Sequence, residues 1–261
     1  MRIFDILLAK KLAGGGGGGT MPDEYCIGGS LYNKTLVKYH FPTESVGNNL
    51  RDYYFSGCQQ LEAIENFPTT ATSIPYNFAY NCKNFDISSL PDGITSIAQN
   101  AFYSCGKLSL SQLPTGLVTI GNSGFYYCSM LRLTNLPSTL TSIGANAFQY
   151  CSNIKITQIP SGVTKIQAVS FNGCSSIESL AFAGDITEIG QRSFENCSAC
   201  MVYDFRNNTG VPTLANSNVF IGINSNAKIV VPDALVDSWK AAARWDTYAS
   251  YIIGVTDFES L

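Results

Sequence analysis

Residues 97–116, IAQNAFYSCGKLSLSQLPTG, are followed 23 residues later by a near copy at 120–139, IGNSGFYYCSMLRLTNLPST. In both, an Ile opens the unit, a Phe stands three residues before a Cys, a Leu stands three after it, and Leu-Pro follows. Working outward, Cys58, Cys82, Cys105, Cys128, Cys151, Cys174 and Cys197 are separated by one step of 24 and five of 23 residues. A period of this size marks a solenoid or array. Eight residues before the cysteines stand Leu50, Ile74, Ile97, Ile120, Ile143, Ile166 and Ile189, and three before them stand Phe55, Ala79, Phe102, Phe125, Phe148, Phe171 and Phe194. At the exception, Ala79, the adjacent Phe78 keeps the aromatic volume. Three after come Leu61, Phe85, Leu108, Leu131, Ile154, Ile177 and Cys200.

One unit reads as a short alternating strand such as Leu108-Ser109-Leu110-Ser111, a Pro114–Gly116 turn, a second extended run over Leu117 to Ile120, and a tight or 3₁₀ turn that carries Phe125 and Cys128 inward. A single unit cannot bury its apolar face, whereas stacked units share one core. At about 4.8 Å per coil, six steps make a stack roughly 29 Å long before its caps.

The pattern Ile-x-x-x-Ala-Phe-x-x-Cys-x-x-Leu followed by Leu-Pro-x-Gly, from Leu50 to Cys200, resembles the BspA-like leucine-rich repeat. The resemblance implies a curved leucine-rich-repeat solenoid and non-catalytic binding, often in bacterial surface proteins. The fold expected is an α/β repeat, β-rich: a right-handed leucine-rich-repeat solenoid of about seven 23-residue units with terminal caps. The departures are the 24-residue first step and Cys200 in place of an aliphatic residue.

Composition narrows the function. Charged residues are 13% of 261, about half the usual ~25%. A net charge of −3 offers no basic footprint for nucleic acid, and no apolar run reaches the ~18 residues of a membrane span. The single histidine, His40, excludes sites that need two and is expected to be a surface or cap residue. No phased nucleophile and base, carboxylate pair or ligand set stands out, so no enzymatic activity, metal or cofactor is expected. Cys197-Ser198-Ala199-Cys200 is formally C-x-x-C, but both cysteines already have places in the repeat. Free cysteine packs as a small hydrophobe, so the column is read as core, with Cys26 left over.

Residues 1–13 carry Ile3, Phe4, Leu7, Leu8 and Leu12 at helical spacing and are read as an amphipathic docking helix. Asp5, Lys10 and Lys11 make the segment a poor signal peptide. Residues 14–20 are a glycine tether of roughly 13 Å reach, 21–49 an N-terminal cap, 50–200 the solenoid, and 201–261 a C-terminal cap. Within that last segment Lys228 to Val231 reads as a strand and Asp233 to Ala243 as a helix opened by Pro232-Asp233. It also looks like the segment often found after BspA-like repeats.

Two surfaces are candidates for binding. Asp86, Ser109, Arg132, Lys155 and Glu178 form an outward column on the first strand, either a solvated sheet face or a mixed-charge recognition face. A threonine stripe, Thr72, Thr95, Thr141, Thr164 and Thr187, follows the second run. Tyr80, Tyr103 and Tyr126, with Tyr127 and Tyr150, either shield the turns or form an interface; sugar stacking is one use. The partners expected are a protein or glycan ligand on a cell surface and a larger assembly reached through the N-terminal helix. The leading reading is a phage virion or tail host-recognition protein, because the helix-plus-polyglycine opening resembles such proteins. The alternatives are a bacterial cell-surface or secreted BspA-like adhesin and a structural or decoration protein.

Overall fold

The computed structural model describes residues 37–41, 50 and 52–261. The docking-helix residues Ile3, Phe4, Leu7, Leu8 and Leu12, the glycine tether, Cys26 and most of the 21–49 segment lie outside the described residues. The rest is a parallel β-solenoid of about nine turns with little helix.

Every strand pairing is parallel and joins one coil to the next. On one side, β3 (Ser73–Ile74), β4 (Ser96–Ile97), β5 (Thr119–Ile120) and β6 (Ser142–Ile143) form one sheet, and β8 (Lys165–Ile166), β10 (Glu188–Ile189) and β12 (Thr213–Leu214) form another. Like residues meet like, as in Ile74↔Ile97 and Ile97↔Ile120. On the other side, the run expected as a strand at Leu108–Ser111 forms no regular strand, because a single backbone hydrogen bond ties each step: Arg132 N–H to Leu110 O at 3.0 Å, and Lys155 N–H to Leu133 O at 2.8 Å. Regular pairing there begins with β7 (Gln158–Ile159) and continues through β9 (Ser179–Phe182), β11 (Val202–Asp204), β13 (Lys228–Val231) and β14 (Ile252–Gly254). A separate pair, β1 (Lys38–His40) and β2 (Ala63–Glu65), opens the described chain.

The prolines close turns as their position suggests, with Leu117 N–H bonded to Pro114 O and Leu140 N–H to Pro137 O, both at 3.0 Å. The Phe–Cys segment is a string of i→i+3 bonds, Tyr103 to Asn100, Cys105 to Phe102 and Leu108 to Cys105. These 3₁₀-like turns stand where a helix would complete a larger repeat.

The interior follows the phased columns. Phe102, Phe125, Phe148, Phe171, Phe194 and Phe220 stack with centroids 5.4–5.8 Å apart and planes within 16°. At the first coils Phe78 and Ala79 exchange the roles of Ala101 and Phe102, and all four are fully buried. The cysteines from Cys82 to Cys197 are buried and free. Each thiol also has a bond that its hydrophobic reading does not include. Cys151 Sγ donates to Phe125 O at 2.9 Å, Cys128 Sγ to Phe102 O at 3.1 Å, and Cys105 Sγ to Ala79 O at 3.0 Å, each 26 residues back in the preceding coil, and Cys82 Sγ to Phe55 O, 27 back across the longer first step. Cys58 departs from the packing-only expectation: it is disulfide-bonded.

Although the sequence period weakens after Met201, the stacking continues, with Tyr203 paired to Leu180 behind and Ile229 ahead, and Ile229 to Ile252. The expected helix over 233–243 is a 3₁₀ turn (Asp233–Leu235) followed by α1 (Val236–Ala241). It buries Trp239 against Phe205 and Trp245. Trp245 Nε1–H donates to Pro212 O at 2.7 Å, which fixes this segment to the last coils. A short helix, α2 (Val255–Glu259), follows the final strand.

Candidate functional site

Two positions in each of the seven cysteine-bearing coils are left-handed. One stands five residues before the cysteine: Tyr53, Asn77, Asn100, Ser123, Asn146, Val169 and Arg192, with φ of 52–61°. The other stands immediately before it: Gly57, Asn81, Ser104, Tyr127, Tyr150, Gly173 and Asn196. The backbone needs this alternation because N–H groups from the segment point forward along the stack. Asn100, Phe102 and Ser104, for example, donate to Asn122, Gly124 and Tyr126. Glycine and asparagine adopt this conformation readily, whereas other L-residues pay roughly 1–2 kcal/mol. Tyr127 and Tyr150 therefore occupy positions that backbone energetics would assign to Gly or Asn.

The structure brings all five predicted tyrosines together. Tyr80 and Tyr103 stack at 4.7 Å, and Tyr103 and Tyr126 at 4.4 Å with planes 10° apart. Tyr150 then meets Tyr126 and Tyr127 edge-on at 5.9 and 5.5 Å. The Tyr126 phenol is raised above its ordinary value, first by loss of hydration and then by Tyr103 beside it. This geometry limits the use expected for the rings. Both faces of Tyr103 are covered by its neighbours, so it presents an edge and a hydroxyl and has no free face for a sugar. Tyr127 and Tyr150 are the open members, 51% and 40% exposed. Tyr150 lies over the next coil, where a Cβ on Gly173 would fall 2.7 Å from its Cδ1.

Beside the ladder is a shallow depression of about 470 Å³ lined by Asn81, Lys83, Ser104, Gly106, Tyr127 and Ser129. These residues stand immediately before and after three successive cysteines. Tyr127 is the only predicted site residue in the lining. Asn81, Lys83 and Ser104 escaped sequence reasoning, although the recurring Gly, Asn and Ser before five of the seven phased cysteines did signal a special backbone position.

The predicted charged column is less of a unit. Asp86 is engaged internally, its carboxylate accepting from Ser109 N–H at 2.8 Å and Ser109 Oγ at 2.9 Å. Arg132, Lys155 and Glu178 are exposed and form no salt bridge among the described residues. The threonine stripe is exposed too, but hydroxyls of Thr95, Thr141 and Thr187 turn back to carbonyls of the preceding coil. Cys197 and Cys200 are free and buried, donating to Phe171 O and Val202 O. His40 belongs to β1.

A family model described as a BspA type leucine rich repeat region matches residues 29–155 and 118–238, in six copies. Among solved structures, a T. pallidum leucine rich repeat protein is 25% identical with a TM-score of 0.56, covering 63% of this chain and 78% of that one. A leucine-rich repeat protein from Bacteroides ovatus is 21% identical with a TM-score of 0.62, covering 76% of this chain and 52% of that one. No curated relative matches the sequence.

Proposed function

We propose that this chain, which belongs to the BspA type leucine-rich repeat family, is a non-catalytic recognition module that binds a protein or glycan ligand on a cell surface through its tyrosine ladder. The observation that carries the reading is the placement of Tyr127 and Tyr150. Both residues stand at a left-handed position that the other coils give to Gly, Asn or Ser, and both side chains are exposed. Backbone strain combined with exposed aromatic surface is poor stability engineering, but it suits a binding surface. The charged residues Arg132, Lys155 and Glu178 extend the same module as a secondary face. In the fuller form of the proposal the N-terminal helix attaches the module to a larger assembly, a phage virion or tail, with display on a bacterial surface as the alternative setting.

The test replaces Tyr127 and Tyr150 together with Asn. Binding to intact bacterial cells and to a glycan array should be lost, while the melting temperature stays unchanged or rises. Unaltered binding by the double variant, or unfolding of it, would assign the rings to packing and overturn the proposal.

A further inference from the structure

We propose that the depression beside Tyr127 is a subsite for a carboxylated saccharide, a uronic or sialic acid unit, held between the Tyr127 ring and the Lys83 ammonium. The inference rests on the recognition reading above and names its ligand class. Asn81, Ser104 and Tyr127 occupy one position in three consecutive coils, and Lys83, Gly106 and Ser129 occupy another. With coils about 4.8 Å apart, the two rows flank a hollow roughly 10 Å long. Gly106 contributes no side chain between Lys83 and Ser129, which leaves the hollow open.

The lining selects the ligand. It has one half-exposed aromatic ring and a set of polar groups, without the desolvated apolar pocket in which a protein hot spot anchors. A pyranose matches this pattern, with its C–H face against Tyr127 and its hydroxyls toward the Asn81 amide and the Ser104 hydroxyl. Neither of those side chains makes a hydrogen bond of its own among the described residues. Lys83 is exposed and forms no salt bridge among the described residues, so within them it is a cation without a counter-ion. A carboxylate on the sugar supplies that counter-ion through a charge-assisted hydrogen bond, roughly twice as strong as a neutral one.

The experiment titrates the full chain calorimetrically with trigalacturonate, sialyllactose and a hyaluronan tetrasaccharide, each beside its carboxyl-reduced form. At least one acid should bind about tenfold more tightly than its reduced form. Lys83→Gln should erase that preference and Lys83→Arg should keep it, while Tyr127→Asn should abolish binding of both forms. The subsite is overturned if none of the three acids binds, if the reduced forms bind equally well, or if a polyglutamate peptide binds as tightly with the same dependence on Lys83 and Tyr127. Cell or array binding that needs Tyr127 and Tyr150 while all three acids fail would remove the subsite and leave the recognition module standing. Binding indifferent to both tyrosines would remove both.

Discussion

Raising the pH above about 9 should unfold this protein within a narrow window. Cys82, Cys105, Cys128, Cys151, Cys174, Cys197 and Cys200 are free and buried. Loss of hydration pushes every one of these thiols above its ordinary value of 9.0, to about 12 for Cys82 and about 11 for Cys200. Below pH 9 the thiols are protonated in both states and the full stability is present. Above it the unfolded chain releases protons that the native state keeps, so stability falls by roughly 1 kcal/mol per thiol for each pH unit. The loss continues until the native thiols themselves titrate, beyond about 11 for Cys200 and about 12 for Cys82. Seven thiols acting together cost on the order of 7–10 kcal/mol per pH unit, comparable to the whole stability of a typical domain, about 5–15 kcal/mol. The midpoint should therefore fall within about one to two units above pH 9. Urea unfolding followed by circular dichroism across this range, under argon, measures the slope and hence the number of protons. Replacing Cys128 and Cys151 with Ala should remove two protons' worth of it. A slope worth fewer than about three thiols would refute the buried column.

The other predictions concern packing. Gly173→Ala should cost about 2–4 kcal/mol, because it combines a left-handed backbone with a clash against Tyr150, whereas Gly57→Ala, with nothing within 4 Å of its Cβ, should cost only the backbone part, about 1–2 kcal/mol. In a Tyr150→Asn background the two glycine substitutions should cost the same, and additivity within about 0.5 kcal/mol in both backgrounds would show that the ring does not lie there. Phe148→Ala, which opens a gap between Phe125 and Phe171, should destabilise by about 3–5 kcal/mol in chemical denaturation. A thiol reagent should label the seven free cysteines only after denaturation, and fast native labelling of several would contradict their burial.

Much of the interior was legible because burial follows period. Phe148 and Cys151 were placed inside by their recurrence alone, and even the irregular Phe78-Ala79 pair kept its aromatic volume in the core. The thiol-to-carbonyl bonds were not legible, since a partner 26 residues back exists only once the coils have stacked. The later coils were only partly legible. Lengthening a turn moves Ile229 to 26 residues from Tyr203 and spoils the count, while backbone pairing tolerates the extra residues at small entropic cost. In the candidate site, the tyrosine column was readable. The coverage of Tyr103 by its neighbours and the inclusion of Lys83 and Asn81 were not, because Lys83 reads as an ordinary solvated residue and the recurrence at Asn81 points to backbone conformation rather than to binding.

The amino-acid order by itself determined which side chains face inward and that like faces like, because a constant repeat length returns each residue to the same place in the coil. Tertiary structure alone decided what the outer surface can offer. Ring orientation, the hollow above Gly106 and the strained seats of Tyr127 and Tyr150 depend on contacts between neighbouring coils. Those contacts arise from backbone hydrogen bonds between residues 22–27 apart, which leave no imprint on the local sequence.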